Sequence, residues 1–129
     1  MSYQFPDNLS YADTNEYVLE ENGFLKIGVS EFAIDQLGDI VFVELADQGA
    51  TLEKGETFGT IESVKAGEEV YLPFSGEIVS VNEGVIENPE LLQNDPIGEG
   101  WLIVIKPDSK VSFDDLMTSD AYKSKVMPN

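Results

Sequence analysis

The hexapeptide GDIVFV at residues 38–43 returns as GEIVSV at residues 76–81. Each copy passes through a polar, glycine-containing turn into a second strand that ends in lysine, so the two units run from Gly38 to Lys65 and from Gly76 to Lys106. A unit of about thirty residues is too short to bury its own apolar face. The repeat therefore predicts two similar units that share one core in a compact, mainly β body with approximate two-fold symmetry.

The length and charge of the chain limit the kinds of partner it can bind. Its 129 residues predict a single domain over residues 1–129, with residues 1–8 as a flexible N-terminal segment. The net charge is −18, with seven lysines and no arginine, which argues against binding to nucleic acid or to anionic membrane surfaces. The N-terminus lacks the pattern of a secretory signal, and no apolar run is long enough to span a membrane. We expect a cytoplasmic protein, or one in an organelle matrix if a transit peptide was removed.

The chain contains neither cysteine nor histidine. Thiolate nucleophiles, imidazole bases, catalytic triads with histidine and metal sites with nitrogen or sulfur ligands are therefore excluded. The carboxylates lack the regular spacing of a calcium-binding loop. We expect neither a catalytic residue nor a metal site.

Local signals predict the elements that lead to the first repeat. Asn22-Gly23 predicts a hairpin, because both residues tolerate a positive φ angle. Ser30 and Gly38 predict the two ends of a short helix. The apolar run from Asp39 to Leu45 predicts a strand that is covered on both faces.

Two predictions concern the C-terminal third of the chain. Trp101 is expected to pack in the core, as large aromatic residues on strands commonly do. Ser112 and Asp115 predict a capping box that begins a C-terminal helix docked on the β body, with apolar residues following at Phe113, Leu116 and Met117.

Lys65 lies at the predicted apex of a hairpin. Residues 57–63 predict the incoming strand, residues 64–67 the tight connection, and residues 69–72 the outgoing strand. Nearby residues include the carboxylates of Glu62, Glu68 and Glu69, so the surroundings are unlike those of a buried, desolvated lysine that acts as a nucleophile or forms a Schiff base. A rigid apex instead presents one side chain to a modifying enzyme, so the pattern favours a modification site.

The segment ESVKA, Glu62 to Ala66, resembles the lipoylation motif of the glycine cleavage H-protein family. Lys65 is the matching lysine, and Glu62, Ser63, Val64 and Ala66 form the motif around it. The resemblance extends over roughly residues 9–126 in the same order. It implies a barrel-sandwich hybrid of the lipoyl/biotinyl-carrier type, with an approximate two-fold repeat, short helices and a C-terminal helix.

The resemblance also implies a function. Lys65 would carry lipoic acid in amide linkage, and the arm would shuttle the aminomethyl group of glycine. Its partners would be the pyridoxal-phosphate-dependent glycine decarboxylase (P protein), the aminomethyltransferase (T protein), the dihydrolipoyl dehydrogenase (L protein) and a lipoate-attaching enzyme. The chain would be a monomeric carrier without catalytic activity of its own, and the cofactor would supply chemistry that its side chains lack.

The family also holds the loaded arm in a surface cleft. The matching positions here are Thr14, Glu16 and Glu69. A protonated amine beside the Glu16 carboxylate would gain a charge-assisted hydrogen bond. The chain departs from the family pattern beside Glu16, where Asn15 and Tyr17 replace the usual histidine and tryptophan.

Three alternatives stay open at this point. A biotin carrier also uses an apical lysine, but it usually has methionines where this chain has Val64 and Ala66. A carrier of the same fold could relay octanoyl or lipoyl groups to other enzymes. A plain interaction domain would leave Lys65 unmodified.

Overall fold

The computed structural model describes residues 3–127. Within this range ten strands and four helices follow in chain order: β1 (Ser10–Tyr11), β2 (Glu16–Glu21), β3 (Phe24–Val29), α1 (Glu31–Leu37), β4 (Ile40–Leu45), β5 (Thr51–Leu52), β6 (Thr57–Ser63), β7 (Gly67–Tyr71), β8 (Gly76–Val81), α2 (Glu83–Glu87), α3 (Glu90–Asn94), β9 (Ile103–Pro107), β10 (Met117–Thr118) and α4 (Ser119–Val126). The strands of this range form a seven-stranded sheet in the order β10-β1-β2-β3-β9-β8-β5 and a three-stranded sheet in the order β4-β6-β7. No helix among these residues is long and apolar enough to cross a membrane.

The two copies of the repeat lie in different sheets and share one core. The first copy supplies the β4–β6 pair, and the second supplies the β8–β9 pair. Both contribute side chains to the same buried cluster, among them Ile40 and Ile61 from the first copy and Ile78 and Ile105 from the second. The predicted shared core is therefore confirmed.

Each copy also contains a β-bulge at the same position of its first strand. The register shifts between Ile40 and Phe42 in β4 and between Ile78 and Ser80 in β8. A bulge inserts one extra residue into one strand of an antiparallel pair and bends that strand. The repeat thus preserves a backbone irregularity as well as an apolar pattern.

The local signals in the N-terminal half correspond to the observed elements. Asn22 and Gly23 have φ angles of 54° and 85° and join β2 to β3. Ser30 caps α1 by accepting a hydrogen bond from the backbone N–H of Ala33, and Gly38 ends the helix with a φ of 87°. The hairpin and the helix are both confirmed.

Three predictions were wrong. The strand in residues 39–45 is not covered on both faces, because the bulge in β4 leaves Val41 and Phe42 exposed. Trp101 is half-buried and precedes β9, where Leu102 and Ile103 fill the core instead. The connection after the second copy's first strand is not a simple turn, because it contains α2 and α3. Asn82 caps α2 by accepting a hydrogen bond from the N–H of Gly84, and α3 begins after Pro89.

The C-terminal helix exists but begins later than its predicted capping box. Ser112 Oγ accepts a hydrogen bond from the Asp114 N–H in a turn, and Asp115 lies in the segment before β10. The helix α4 begins at Ser119, after Thr118 has capped it by accepting from the N–H of Ala121. The apolar residues near the predicted cap lie before the helix and pack against the two core clusters; they are Phe113, Leu116 and Met117.

Part of the predicted flexible N-terminal segment lies outside the described residues, namely Met1 and Ser2. Tyr3 donates a hydrogen bond to Asp35 Oδ2 at 2.5 Å, and its ring packs edge-on against Phe32 of α1. The backbone N–H of Gln4 donates to Glu31 Oε1 at 2.6 Å. These contacts join the segment to α1, and its flexibility stays a prediction.

Candidate functional site

The tip of the β6–β7 hairpin is held by one buried side chain, Ser63. Its hydroxyl accepts hydrogen bonds from the backbone N–H groups of Lys65 and Ala66 at 3.3 and 3.1 Å. The same hydroxyl donates a hydrogen bond to the Ala66 carbonyl at 3.1 Å. The N–H of Val64 donates to the Asp39 carbonyl at 3.0 Å, which joins the tip to the start of the first repeat. Local bonds of this kind satisfy the backbone of a tight turn. The residues of the ESVKA motif are therefore the residues that shape the tip.

Lys65 is exposed at this tip, and its stem runs over the end of α1. A Cβ atom added at Gly38 would lie 3.7 Å from Cε of Lys65. Gly38 is the residue that ends α1, so the lysine lies beside this helix. The backbone of Lys65 is held in place, while its amine is exposed to solvent.

A cleft of about 220 Å³ lies between α1 and the β6–β7 hairpin, and we call it the α1 cleft. Its apolar lining comes from α1 and the adjoining strands: Val29, Phe32, Ala33, Leu37, Ile61 and Val70. Its polar lining consists of Thr14, Asn15, Gln36, Glu68 and Glu69. Glu68 and Glu69 belong to β7, which begins directly after the lysine tip. The cleft thus combines an apolar interior with carboxylates close to Lys65.

Glu16 is fully buried and lies behind the cleft lining. Thr14 Oγ1 donates a hydrogen bond to Glu16 Oε1, and the backbone N–H of Tyr71 donates to Oε2 at 2.9 Å. Burial raises the pKa of Glu16, and the negative charge of Glu68 raises it further, whereas the hydrogen bonds from Thr14 and Tyr71 oppose the increase. Because Thr14 lines the cleft and Glu16 does not, Glu16 is connected to the cleft through its hydrogen bond with the threonine hydroxyl.

The sequence placed Glu68 near Lys65 but did not identify it as a residue of the cleft. Glu68 pairs with Ile61 of β6, which also lines the cleft, and it lies two residues before the buried Val70. Glu69 lines the cleft as well, but its Oε1 accepts a hydrogen bond from Thr57 Oγ1 at 3.3 Å. Strand alternation from Val70 is the signal that would have identified Glu68.

A second group missed by the sequence is Tyr122 of α4, which supports two walls of the cleft. Its hydroxyl donates to Asn15 Oδ1 at 2.8 Å, so the 2.6 Å contact with Ser30 Oγ is one in which the serine donates. Ser30 caps α1, and Asn15 lines the cleft with a φ of 83°, a conformation that asparagine tolerates well. The C-terminal helix therefore positions both the cap of α1 and the turn before β2.

Tyr17 also has a defined place beside this turn. It is buried, its hydroxyl donates to the Pro96 carbonyl at 2.8 Å, and its ring covers Gly28, where a Cβ would approach it to 2.5 Å. Burial raises the pKa of Tyr17, so the phenol stays protonated. Asn15 thus lines the cleft, whereas Tyr17 packs in the second core cluster.

A family profile described as glycine cleavage H-protein matches residues 9–129. The chain belongs to this family. It is 88% identical over 129 residues to a glycine cleavage system H protein of Prochlorococcus marinus strain MIT 9312, with all of both chains covered. It is 52% identical over 126 residues to the protein of the same name from strain NATL1A, with 98% of each chain covered. The expected resemblance to the H-protein family is confirmed.

A solved structure supports the same assignment at the level of the fold. The crystal structure of a glycine cleavage system H protein from Mycobacterium marinum matches with a TM-score of 0.85 and 32% identity, covering 93% of this chain and 97% of that one. The expected lipoyl-carrier fold, mainly β with two sheets and a C-terminal helix, is confirmed by this H-protein neighbour. As a member of the H-protein family, the chain is a carrier component of the glycine cleavage system.

Proposed function

We propose that Lys65 carries a lipoyl group in amide linkage and that the arm shuttles the aminomethyl group of glycine. The arm visits the pyridoxal-phosphate-dependent decarboxylase, the aminomethyltransferase and the dihydrolipoyl dehydrogenase in turn, after a lipoate-attaching enzyme has modified the lysine. The chain acts as a carrier without catalytic residues of its own, as a monomer in the cytoplasm. Membership of the H-protein family supports this proposal.

The observation that carries the proposal is the immobilised tip beside the α1 cleft. Ser63 bonds the backbone on both sides of the apex, while the Lys65 side chain is exposed. A fixed backbone presents the amine in one geometry, which lowers the entropy lost when an enzyme binds it. Lys65 is therefore suited to modification, and the neighbouring cleft is suited to hold what is attached.

The residues of the cleft fit a lipoyl arm that bears an amine. The apolar lining, which includes Phe32 and Ile61, matches the hydrocarbon chain and the ring of the group. Thr14 and Glu68 offer oxygens to a protonated amine, and Glu16 strengthens Thr14 as an acceptor because it accepts the threonine hydrogen. Glu69 supplies a further negative charge on the same side. These four residues are proposed to hold the loaded arm between visits.

Attachment requires only one bond to form on this chain. Nζ of Lys65 attacks the carboxyl carbon of a lipoyl group activated as its adenylate, the bond from that carbon to the phosphate oxygen breaks, and AMP leaves as the amine loses a proton. The attached group supplies a disulfide that can be reduced and reoxidised, chemistry that a chain without cysteine cannot perform. The chain's own residues present the amine and shelter the arm.

A reconstituted glycine decarboxylation assay tests the proposal, with two lysine variants compared. The Lys65→Arg variant keeps the positive charge but removes the acceptor amine, so we expect it to fold and to give no carrier activity. The matched control is Lys106→Arg, which alters the lysine at the end of the second copy and should retain full activity. Carrier activity that persists in the Lys65→Arg protein would rule out the lysine arm.

A further inference from the structure

Three large apolar side chains are exposed at the end of the three-stranded sheet that carries Lys65. Val64 is 71% exposed, Val41 is 55% exposed and Phe42 is 47% exposed. We call these three residues the tip patch. Their backbones adjoin, because Ile40 pairs with Ser63, Phe42 pairs with Glu62, and the Val64 N–H bonds to Asp39. An apolar cluster in contact with solvent at a modification site marks a surface for binding another protein.

The fold does not require this exposure. The second copy of the repeat has the same bulge, with Val79 and Ser80 at the matching positions, and both are half-buried. Serine thus occupies the bulge position where the first copy has Phe42. The exposed aromatic side chain is therefore a property of the lysine-bearing copy.

Carboxylates border the tip patch. Glu62 lies opposite Phe42, and Glu44 follows Phe42 by two residues on the same strand, so both lie on the outward face of the sheet. Both are exposed, and the whole chain has a net charge of −18. The complementary partner has an apolar depression bordered by lysine or arginine side chains.

We propose that the tip patch is the docking surface for the enzyme that acylates Lys65. This inference rests on the proposed function. Before attachment the amine reaches only as far as its own four-carbon stem, so the attaching enzyme must approach the tip and contact the side chains beside it. Once the arm is attached, its reactive end lies beyond the tip, and later partners can act without touching Phe42 or Val64.

The rate at which a purified ATP-dependent lipoate–protein ligase modifies the full-length unmodified chain tests the inference. With lipoate and ATP supplied, we expect Phe42→Ser to lower kcat/KM about tenfold, since a large apolar contact is lost from the complex. The matched control is Phe24→Ser, because Phe24 is 39% exposed on β3 and lies away from the tip. Serine at position 42 copies the residue that the second repeat already holds, and circular dichroism checks the fold of both variants.

Charge reversal provides a second variant that leaves the apolar side chains intact. We expect Glu44→Lys to lower the rate of attachment about threefold at low ionic strength, and less at high salt. The exposed Glu77 of the second copy provides the control variant Glu77→Lys, for which no such loss is expected. Equal losses in Glu44→Lys and Glu77→Lys would assign the effect to net charge and overturn the proposed docking surface.

Several outcomes would contradict the proposed docking surface but leave the proposed carrier function of Lys65 unaffected. These are equal attachment rates for Phe42→Ser and wild type, equal losses in Phe42→Ser and Phe24→Ser, or normal attachment followed by poor loading by the decarboxylase. A wild-type dimer that Phe42→Ser dissociates in sedimentation measurements would assign the tip patch to self-association instead. Failure of the ligase to modify the wild-type chain on Lys65 would instead contradict the proposed function.

Discussion

The two copies of the repeat share a strand pair and a bulge, but they differ in how their lysines and glycines are used. Lys65 follows the end of β6 in an immobilised tip, whereas Lys106 lies within β9 and pairs with Glu77 across the ladder. Gly38 precedes β4 with a φ of 87°, whereas Gly76 is the buried first residue of β8. Identical residues at matching positions of the repeat therefore have different conformations and contacts in the two copies.

The difference separates what the core needs from what the site needs. Both copies direct an isoleucine inward before the bulge, Ile40 and Ile78, and this is what the shared core requires. Only the first copy adjoins the α1 cleft and presents an exposed lysine at its tip. The positions that we propose to be functional are those where the first copy differs from the second.

The largest expected effect concerns the two glycines. A Cβ at Gly76 would overlap the backbone carbonyl oxygen of Lys106, so Gly76→Ala requires strand β9 to move and should cost about 3 kcal/mol of unfolding free energy. A Cβ at Gly38 meets only the flexible end of Lys65, so Gly38→Ala should cost about 2 kcal/mol through its backbone conformation. Urea denaturation measures both values, and the opposite ranking would show that the glycines are not distinguished by close packing.

An intermediate effect concerns the support of the cleft, which lies outside the repeat. Tyr122→Phe removes the hydroxyl that bonds Asn15 and Ser30, so we expect a loss of about 2 kcal/mol of unfolding free energy. Tyr11 stacks on Tyr122 with ring centroids 4.2 Å apart, and its buried hydroxyl has no hydrogen-bond partner among the described residues. Tyr11→Phe is therefore the matched control and should leave stability unchanged or slightly higher. Equal changes in the two variants would contradict this account, because they would show that the hydrogen bonds of the Tyr122 hydroxyl contribute no more to stability than the unpartnered hydroxyl of Tyr11 does.

The smallest expected effect is a pH dependence that belongs to Glu16. Because burial raises the pKa of this carboxyl group, the folded protein holds its proton at pH values where the unfolded chain has released it. The stability contributed by Glu16 is thus full at low pH and falls as pH rises through the raised pKa. Measured against Glu16→Gln, which does not titrate, the wild-type unfolding free energy should decrease with rising pH in that window. A relative stability that increases with pH would mean that the bonds from Thr14 and Tyr71 outweigh burial.

The sequence predicted the elements that local rules determine. The hairpin at Asn22-Gly23 and helix α1 follow from φ preferences and from a capping serine, and the tip at Lys65 follows from two adjacent strands. The H-protein resemblance supplied the overall fold. These features depend on residues close together in the chain or on a pattern shared by a whole family.

The features that sequence reasoning missed depend on pairing and packing between distant residues. The exposure of Phe42 results from a register shift that exists only when β4 pairs with β6. The start of α4 is decided by Thr118 and by the burial of Tyr122, and Ser112 looks equally suitable as a cap in the sequence. The complete burial of Glu16 depends on the Tyr71 N–H, 55 residues away. Contacts between residues this far apart in the chain cannot be recognised from the pattern of neighbouring residues in the sequence.

Mass spectrometry of the protein from cells with active lipoylation tests the central claim most directly. The intact mass gives the number and size of the adducts, and peptide fragmentation locates them. We predict one lipoyl group, located on Lys65, with Lys106 unmodified. An adduct on Lys106, a biotin adduct, or an unmodified chain from such cells would contradict the account.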